Sequence, residues 1–221
     1  MTSSWRVETA RGGVAALLQS SPTEERTVRF LEPEDRAVVL GSTQPESHVD
    51  RVAAARVATQ VLRRRSGGGA VLVGPGQVLW TDVVIPADDP LWTADVGRAF
   101  WWIGELWAAA LAAAGLAGGQ VWRGGLVRTA WSDRVCFAGL GAGEVTAGGA
   151  KVLGLAQRRT RAGAHFQCAV PIVWDPAALL ALMALDDIVR TGAVVELAGV
   201  AMGVGTDIAA KLVPAFLDHL P

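Results

Sequence analysis

Apolar and polar positions alternate in short bursts along most of this chain, and the bursts are separated by turn-forming residues. TVRFLE (27–32) and AVVLG (37–41) read as strands divided by the turn PEDR. QVLWTDVVIP (77–86) alternates with a period near two and stops at Pro86. A helix is expected from about Asp50 to Gln60. A second runs from about Asp95 to Ala114, with Phe100, Ile103, Trp107 and Leu111 recurring every three or four residues and Gly115 as its stop. Further strands are predicted at RVCFAG (134–139), EVTA (144–147), AKVLGLAQRR (150–159) and HFQCAVPIVW (165–174), with turns at TAGGAK and TRAGAH. The Asp-Pro pair at Asp175 and Pro176 opens a helix. The last helix, TDIAAKLVPAFLDHL, is expected to break or kink near Pro214. Hairpin strands alternating with isolated helices predict an α/β fold of the α+β type, a mixed, largely antiparallel sheet with flanking helices. At 221 residues, without repeat or linker, the chain is expected to be a single domain over 1–221.

The 51% hydrophobic content fits a buried core, and a net charge of −1 gives no global attraction for nucleic acid. Charge is nevertheless uneven: arginines gather at 63–65 and again at Arg158, Arg159 and Arg161. The apolar segment 99–117 is long enough to raise the question of a membrane span. Glu105 within it, Arg98 before it and its one-sided bulky residues argue for a buried soluble helix. The N-terminal apolar stretch is too interrupted for a secretion signal. With only Cys136 and Cys168 there is no disulfide framework, and the expected location is cytoplasmic.

The richest stretch for chemistry is RRRSGGGAVLVGPGQ (63–77), where three arginines and a serine lead into three glycines. Bare backbone lets a ligand approach the main chain closely, so the stretch reads either as a flexible turn or as a cradle for an anion. It is no dinucleotide fingerprint, because Leu79 stands where GPGQVL needs its third glycine, and no phosphate-loop lysine motif occurs. His48, His165 and His219 lack ligand-like spacing, so no metal site is expected; His165 is of interest for its nearness to the second arginine cluster. Of twenty basic residues only Lys151 and Lys211 are lysines, and Lys151 opens a glycine-framed strand. A compact ammonium there can meet a single carbonyl or phosphate oxygen, which a planar guanidinium cannot do in the same way. Cys136 reads either as a small apolar core residue or as a nucleophile.

Three stretches together resemble the lipoate-protein ligase and octanoyltransferase branch of the biotin/lipoyl-protein ligase catalytic domains. RRRSGGGAVLVGPGQ is similar to their arginine–glycine motif, and GEVTAGGAKVLGLAQRR to their lysine motif with its G-x-A segment. FLEPEDRAVVLGSTQ (30–44) resembles their first strand pair ending in an LG-x-x-Q turn. The resemblance runs in order from about residue 27 to 174. It implies an enzyme attaching a lipoyl or octanoyl group to a lysine of lipoyl carrier domains, in oxoacid dehydrogenase E2 or glycine cleavage H protein. In the ligase form ATP with magnesium makes an acyl-adenylate held by Lys151. Arg64, Ser66, Gly67, Gly68, Gly69 and Ala70 surround the carboxyl end, and Gly154 and Ala156 line the substrate site. RVCFAGLGAGEV resembles the cysteine-bearing segment of octanoyltransferases, which implies the alternative: a Cys136 thioester fed by acyl carrier protein, with no cofactor. The resemblance departs at Val73 and Gly74, where a His or His-Asp pair is usual, and at Cys168, where related transferases carry a histidine. The departures keep open a non-catalytic acyl-binding relative, and biotin as the acid. No C-terminal accessory domain is expected within the chain, and the second arginine cluster is expected to dock an acidic carrier.

Overall fold

The computed structural model of the protein describes residues 4–19 and 25–221. In chain order its strands are β1 (Arg6–Gly12), β2 (Thr27–Pro33), β3 (Arg36–Leu40), β4 (Thr59–Arg63) and β5 (Val71–Val73). They continue with β6 (Val78–Pro86), β7 (Gln120–Val121), β8 (Val145–Ala147), β9 (Ala150–Arg159) and β10 (Gly163–Pro171). The helices are α1 (Val14–Leu17), α2 (Arg51–Arg56), α3 (Trp101–Ala114), α4 (Pro176–Leu180), α5 (Asp187–Leu197) and α6 (Thr206–Asp218).

Seven strands form one sheet in the order β1-β2-β6-β10-β9-β8-β7, and β4-β3-β5 form a second. Among the described strands, β1 with β2 and β3 with β4 pair in parallel and the other strand pairs are antiparallel, as the hairpin pattern predicts. Period-two alternation builds the layers, because successive side chains of a strand face opposite ways. Val28, Phe30, Val83 and Ile85 turn to a core shared with Ile103, Trp107 and Leu111 of α3 and with Leu212 and Phe216 of α6. Leu31, Val78 and Trp80 point the other way, onto Ala37, Val39 and Val73 of the small sheet. The reverse face of the small sheet, Val38 and Leu40, packs on Leu179, Leu180, Ala193 and Leu197 of α4 and α5. The order is therefore helices, large sheet, small sheet, helices. The gap between the two sheets holds the candidate site.

Several elements depart from the sequence expectation. Strands β2 and β3, read as a pair, belong to different sheets. The helix expected over 50–60 starts on an Asp50 cap, which accepts from Val52 and Ala53 N–H, but ends at Arg56. Ala58 then takes φ 49°, a left-handed turn that releases Thr59 into β4. RVCFAG is no strand: residues 136–138 form one 3-10 turn, which holds Cys136 off the sheet. α6 runs unbroken through Pro214. β1 and α5 have no counterpart in the sequence reading. Helix α3 ends where expected, on Gly115 at φ 112°. Among the described residues no helix is long and apolar enough to cross a membrane.

Candidate active site between the two sheets

The glycine run and the lysine turn, 80 residues apart in sequence, line the same hollow. This cavity of about 740 Å³ is bounded by Ser66, Gly67, Gly68, Cys136, Glu144 and Lys151, among others. A narrower, mostly apolar hollow of about 90 Å³ adjoins it within the inter-sheet layer, walled by Val39, Val73, Trp80, Phe137 and Ala169. Ser66, Gly67, Cys136, Leu155 and Ala156 line both, so they form the neck between them. Arg64 and Gly154 line the apolar side. Gly69 and Ala70 lie fully behind the neck: both are buried, and neither lines the hollow that holds Lys151.

Lys151 is fixed from three directions. Gly148 and Gly149 adopt φ 58° and 85°, the paired positive angles of a tight hairpin turn, and so deliver β9 directly after β8. Its backbone N–H donates to Val200 O at 2.9 Å, and its carbonyl accepts from Met202 N–H at 3.0 Å. Its ammonium, 4% exposed, donates to Gly139 O at 2.9 Å and pairs with Glu144 Oε2 at 2.6 Å. It also stands 5.1 Å from the centre of the Phe137 ring. An ammonium carries three N–H donors, so one is left for a ligand. Glu144, which the sequence reading missed, is the keystone. Its carboxylate also accepts from Gly141 N–H at 2.7 Å and Leu155 N–H at 3.1 Å. An acid directly before a strand, seven residues ahead of a rare lysine, was the available signal.

The three glycines answer three different requirements. A Cβ on Gly69 would lie 2.4 Å from Val135 N, and Gly68 sits at φ 93°, where side chains are strained. Gly67 has nothing within 4 Å of that position, which leaves its backbone open to the hollow. Arg64, which lines the apolar hollow, also laces this loop together. Its guanidinium donates to Val39 O (3.1 Å), Gly67 O (2.6 Å), Gly69 O (2.9 Å) and Ser66 Oγ (3.1 Å). The same group comes within 3.7 Å of Cys136 Sγ. The LG-x-x-Q turn closes the other side: Gln44 accepts from Gly41 N–H at 3.2 Å and donates to Arg134 O at 3.2 Å.

The two thiols differ sharply. Cys136 is half-buried at the neck, whereas Cys168 is wholly buried against the α3 side of the large sheet. Burial pushes the Cys168 thiol far above its ordinary range. A native-state alkylation with iodoacetamide is expected to modify Cys136 alone, with Cys168 reacting only after denaturation. Native labelling at Cys168 would contradict its placement. The histidine at 165 is buried on β10, its Nε2 2.9 Å from Asp82 Oδ2, beside Arg65 and Arg158. Among the described residues no group of three or more His, Cys, Asp or Glu side chains is placed to hold a metal ion.

Known proteins share this arrangement of strands and helices. A bi-partite lipoate protein ligase from the lipoylation system of Thermoplasma acidophilum superposes with a TM-score of 0.73 at 19% identity, over 97% of this chain and 82% of that one. Lipoate-protein ligase A bound with ATP gives 0.67 at 20% identity over 99% and 85%. The T. acidophilum protein Ta0514 with bound lipoic acid gives 0.67 at 20% over 99% and 86%. No curated protein sequence matches the chain. Residues 14–196 match the family described as the lipoyl protein ligase A/B catalytic domain, and the chain therefore belongs to that family of enzymes.

Proposed function

We propose that this enzyme activates lipoate or octanoate with ATP and passes the acyl group to a lysine of a lipoyl carrier domain. One observation carries the reading: an apolar hollow opens, through a neck that includes the open backbone of Gly67, into a much larger and more polar hollow lined by Lys151. The acyl tail lies in the first and the adenylate in the second. The acid's carboxylate attacks the α-phosphorus of ATP and pyrophosphate departs; the carrier amine then attacks the acyl carbon, and AMP leaves. Lys151 lends its remaining N–H, and Gly67 its open backbone, to the oxygens on which negative charge builds. Magnesium, if it accompanies the phosphates, would neutralise their charge; Asp133, paired with Arg128 at 3.1 Å, is a carboxylate in the same hollow that could meet it.

The carrier would meet Arg65 and Arg158, which line one cavity beside the neck, so the two arginine clusters of the sequence converge. Arg159 is committed elsewhere, donating to Ala94 O at 3.1 Å and stacking 4.7 Å from the Trp92 ring. The relatives support the substrates: one was solved with ATP, another with lipoic acid, and one belongs to a system with an E2 lipoyl domain.

The position of Cys136 favours a second reading. Its sulfur stands at the neck, within reach of an Arg64 N–H, where a thioester from acyl carrier protein would place its carbonyl. Intact-mass spectrometry separates the two. With lipoate, ATP and a lipoyl domain, the expected product is an acylated domain and no adduct on the enzyme. An octanoyl adduct on Cys136 from octanoyl carrier protein, with no ATP-dependent product, would instead establish the transferase. A lipoate-dependent rise in melting temperature without any modified carrier would identify a binding protein only.

A further inference from the structure

Adjoining the apolar hollow is a second cavity, of about 270 Å³, lined by Trp174 and Leu179 and bordered by the exposed Pro75, Gly76 and Val173. Three side chains, Val71, Val78 and Phe137, line both spaces. They are a partition one side chain thick. Its largest member is Phe137, 4% exposed and held on the 3-10 turn next to Cys136. The ring is braced on three sides: by Trp174 at 5.6 Å between centroids, by the Lys151 ammonium, and by Gly154, where an added Cβ would lie 3.3 Å from Phe137 Cζ. The acyl hollow is the smaller space, so whichever wall yields decides how long a chain fits.

We propose that Phe137 sets the acyl chain length, acting as a gate that confines the tail to the inter-sheet hollow and shuts it out of the cavity beneath Trp174. The proposal rests on the acyl-binding reading of the apolar hollow. An aromatic ring fills the wall; shortening it joins a hollow of about 90 Å³ to one of about 270 Å³ and leaves apolar surface for additional methylenes. Each methylene buried there is worth on the order of a fourfold gain in affinity. Phe137 also faces Lys151, so turnover would report two effects at once, and binding is the cleaner readout.

The test is a binding series of saturated fatty acids from six to sixteen carbons, followed by calorimetry, on the parent protein, Phe137→Ala and Phe137→Leu. The parent is expected to bind best at about eight carbons, the length the acyl-binding reading assigns. Phe137→Ala should move the optimum upward by two or more carbons, with Phe137→Leu intermediate. Val78→Ala thins the same wall and should shift it in the same direction if the aromatic variants do not fold. An unchanged optimum in the folded variants overturns the partition while leaving the acyl-binding reading standing. Failure of the parent to bind any acid overturns both.

Discussion

Lys151→Met is expected to reduce turnover on a lipoyl domain by on the order of 10²–10³-fold, the loss typical of removing one fixed stabiliser of transition-state charge. It is also expected to melt earlier, because the ammonium is half of a buried pair. Glu144 would keep its bonds from Gly141 and Leu155 N–H but lose its counter-charge. Stranding one member of such a pair costs roughly 3–5 kcal/mol, and the two surviving bonds place the cost at the lower end. For a chain of this size that corresponds to a fall of roughly 6–12 °C in melting temperature. Adding Glu144→Gln to the same chain removes the stranded charge and should restore most of the melting temperature without restoring turnover. Melting curves and carrier acylation measured on the parent, both single variants and the double variant separate the two roles. Near-normal turnover in Lys151→Met would place the chemistry elsewhere. Failure of the double variant to recover stability would mean that the two side chains are not an ion pair in solution.

That coupling was invisible in the sequence, and the reason is physical. The Lys151 turn was legible because GG between two alternating runs leaves few alternatives to a tight hairpin, and because the lysine is rare. The spatial convergence of residues 66–68 with Lys151 followed from recognising two motifs in one order, not from periodicity. Glu144 was legible only as an acid spaced seven residues from a rare lysine, a signal that carries no mark of the two backbone N–H groups that also hold it. Cys136 shows the opposite error. VCFA has the apolar content of a strand, but its backbone is spent on bonds to Ala70 and on a 3-10 turn, so tertiary contacts overrode local preference. Strand β1 escaped for a related reason. It pairs in parallel with β2 at an edge, so its burial alternates only weakly between exposed and half-buried positions, and no strong apolar face marks it. Arg64 was expected to face the ligand directly. In the structure it lines the apolar hollow and also laces the loop whose open face the ligand would meet.

The same layering ranks the three glycines by how much each can tolerate, and Gly69→Ala is expected to be the most damaging substitution in the loop. Its new methyl would stand 2.4 Å from Val135 N and 2.6 Å from Arg134 C, both backbone atoms that no rotamer change can move aside. Relief requires the loop to part from segment 134–136. That breaks the bridge in which Ala70 N–H donates to Arg134 O at 2.8 Å and Cys136 N–H donates to Ala70 O at 2.9 Å. Overpacking together with two lost buried bonds amounts to about 2–6 kcal/mol. Activity should fall with stability, because Cys136 and the neck are carried on that segment. Gly68→Ala should be milder, paying for the left-handed backbone at φ 93°, about 1–2 kcal/mol. Gly67→Ala meets nothing within 4 Å and should melt within about 0.5 kcal/mol of the parent. Its methyl would nevertheless crowd the open face offered to the acyl oxygen, so it should raise KM or lower kcat in a protein of normal stability. Melting temperatures in the order Gly69→Ala, Gly68→Ala, Gly67→Ala, lowest first, are the expected outcome. Equal melting in all three variants, or Gly67→Ala as the least stable, would show that the loop does not pack against residues 134–136 as described.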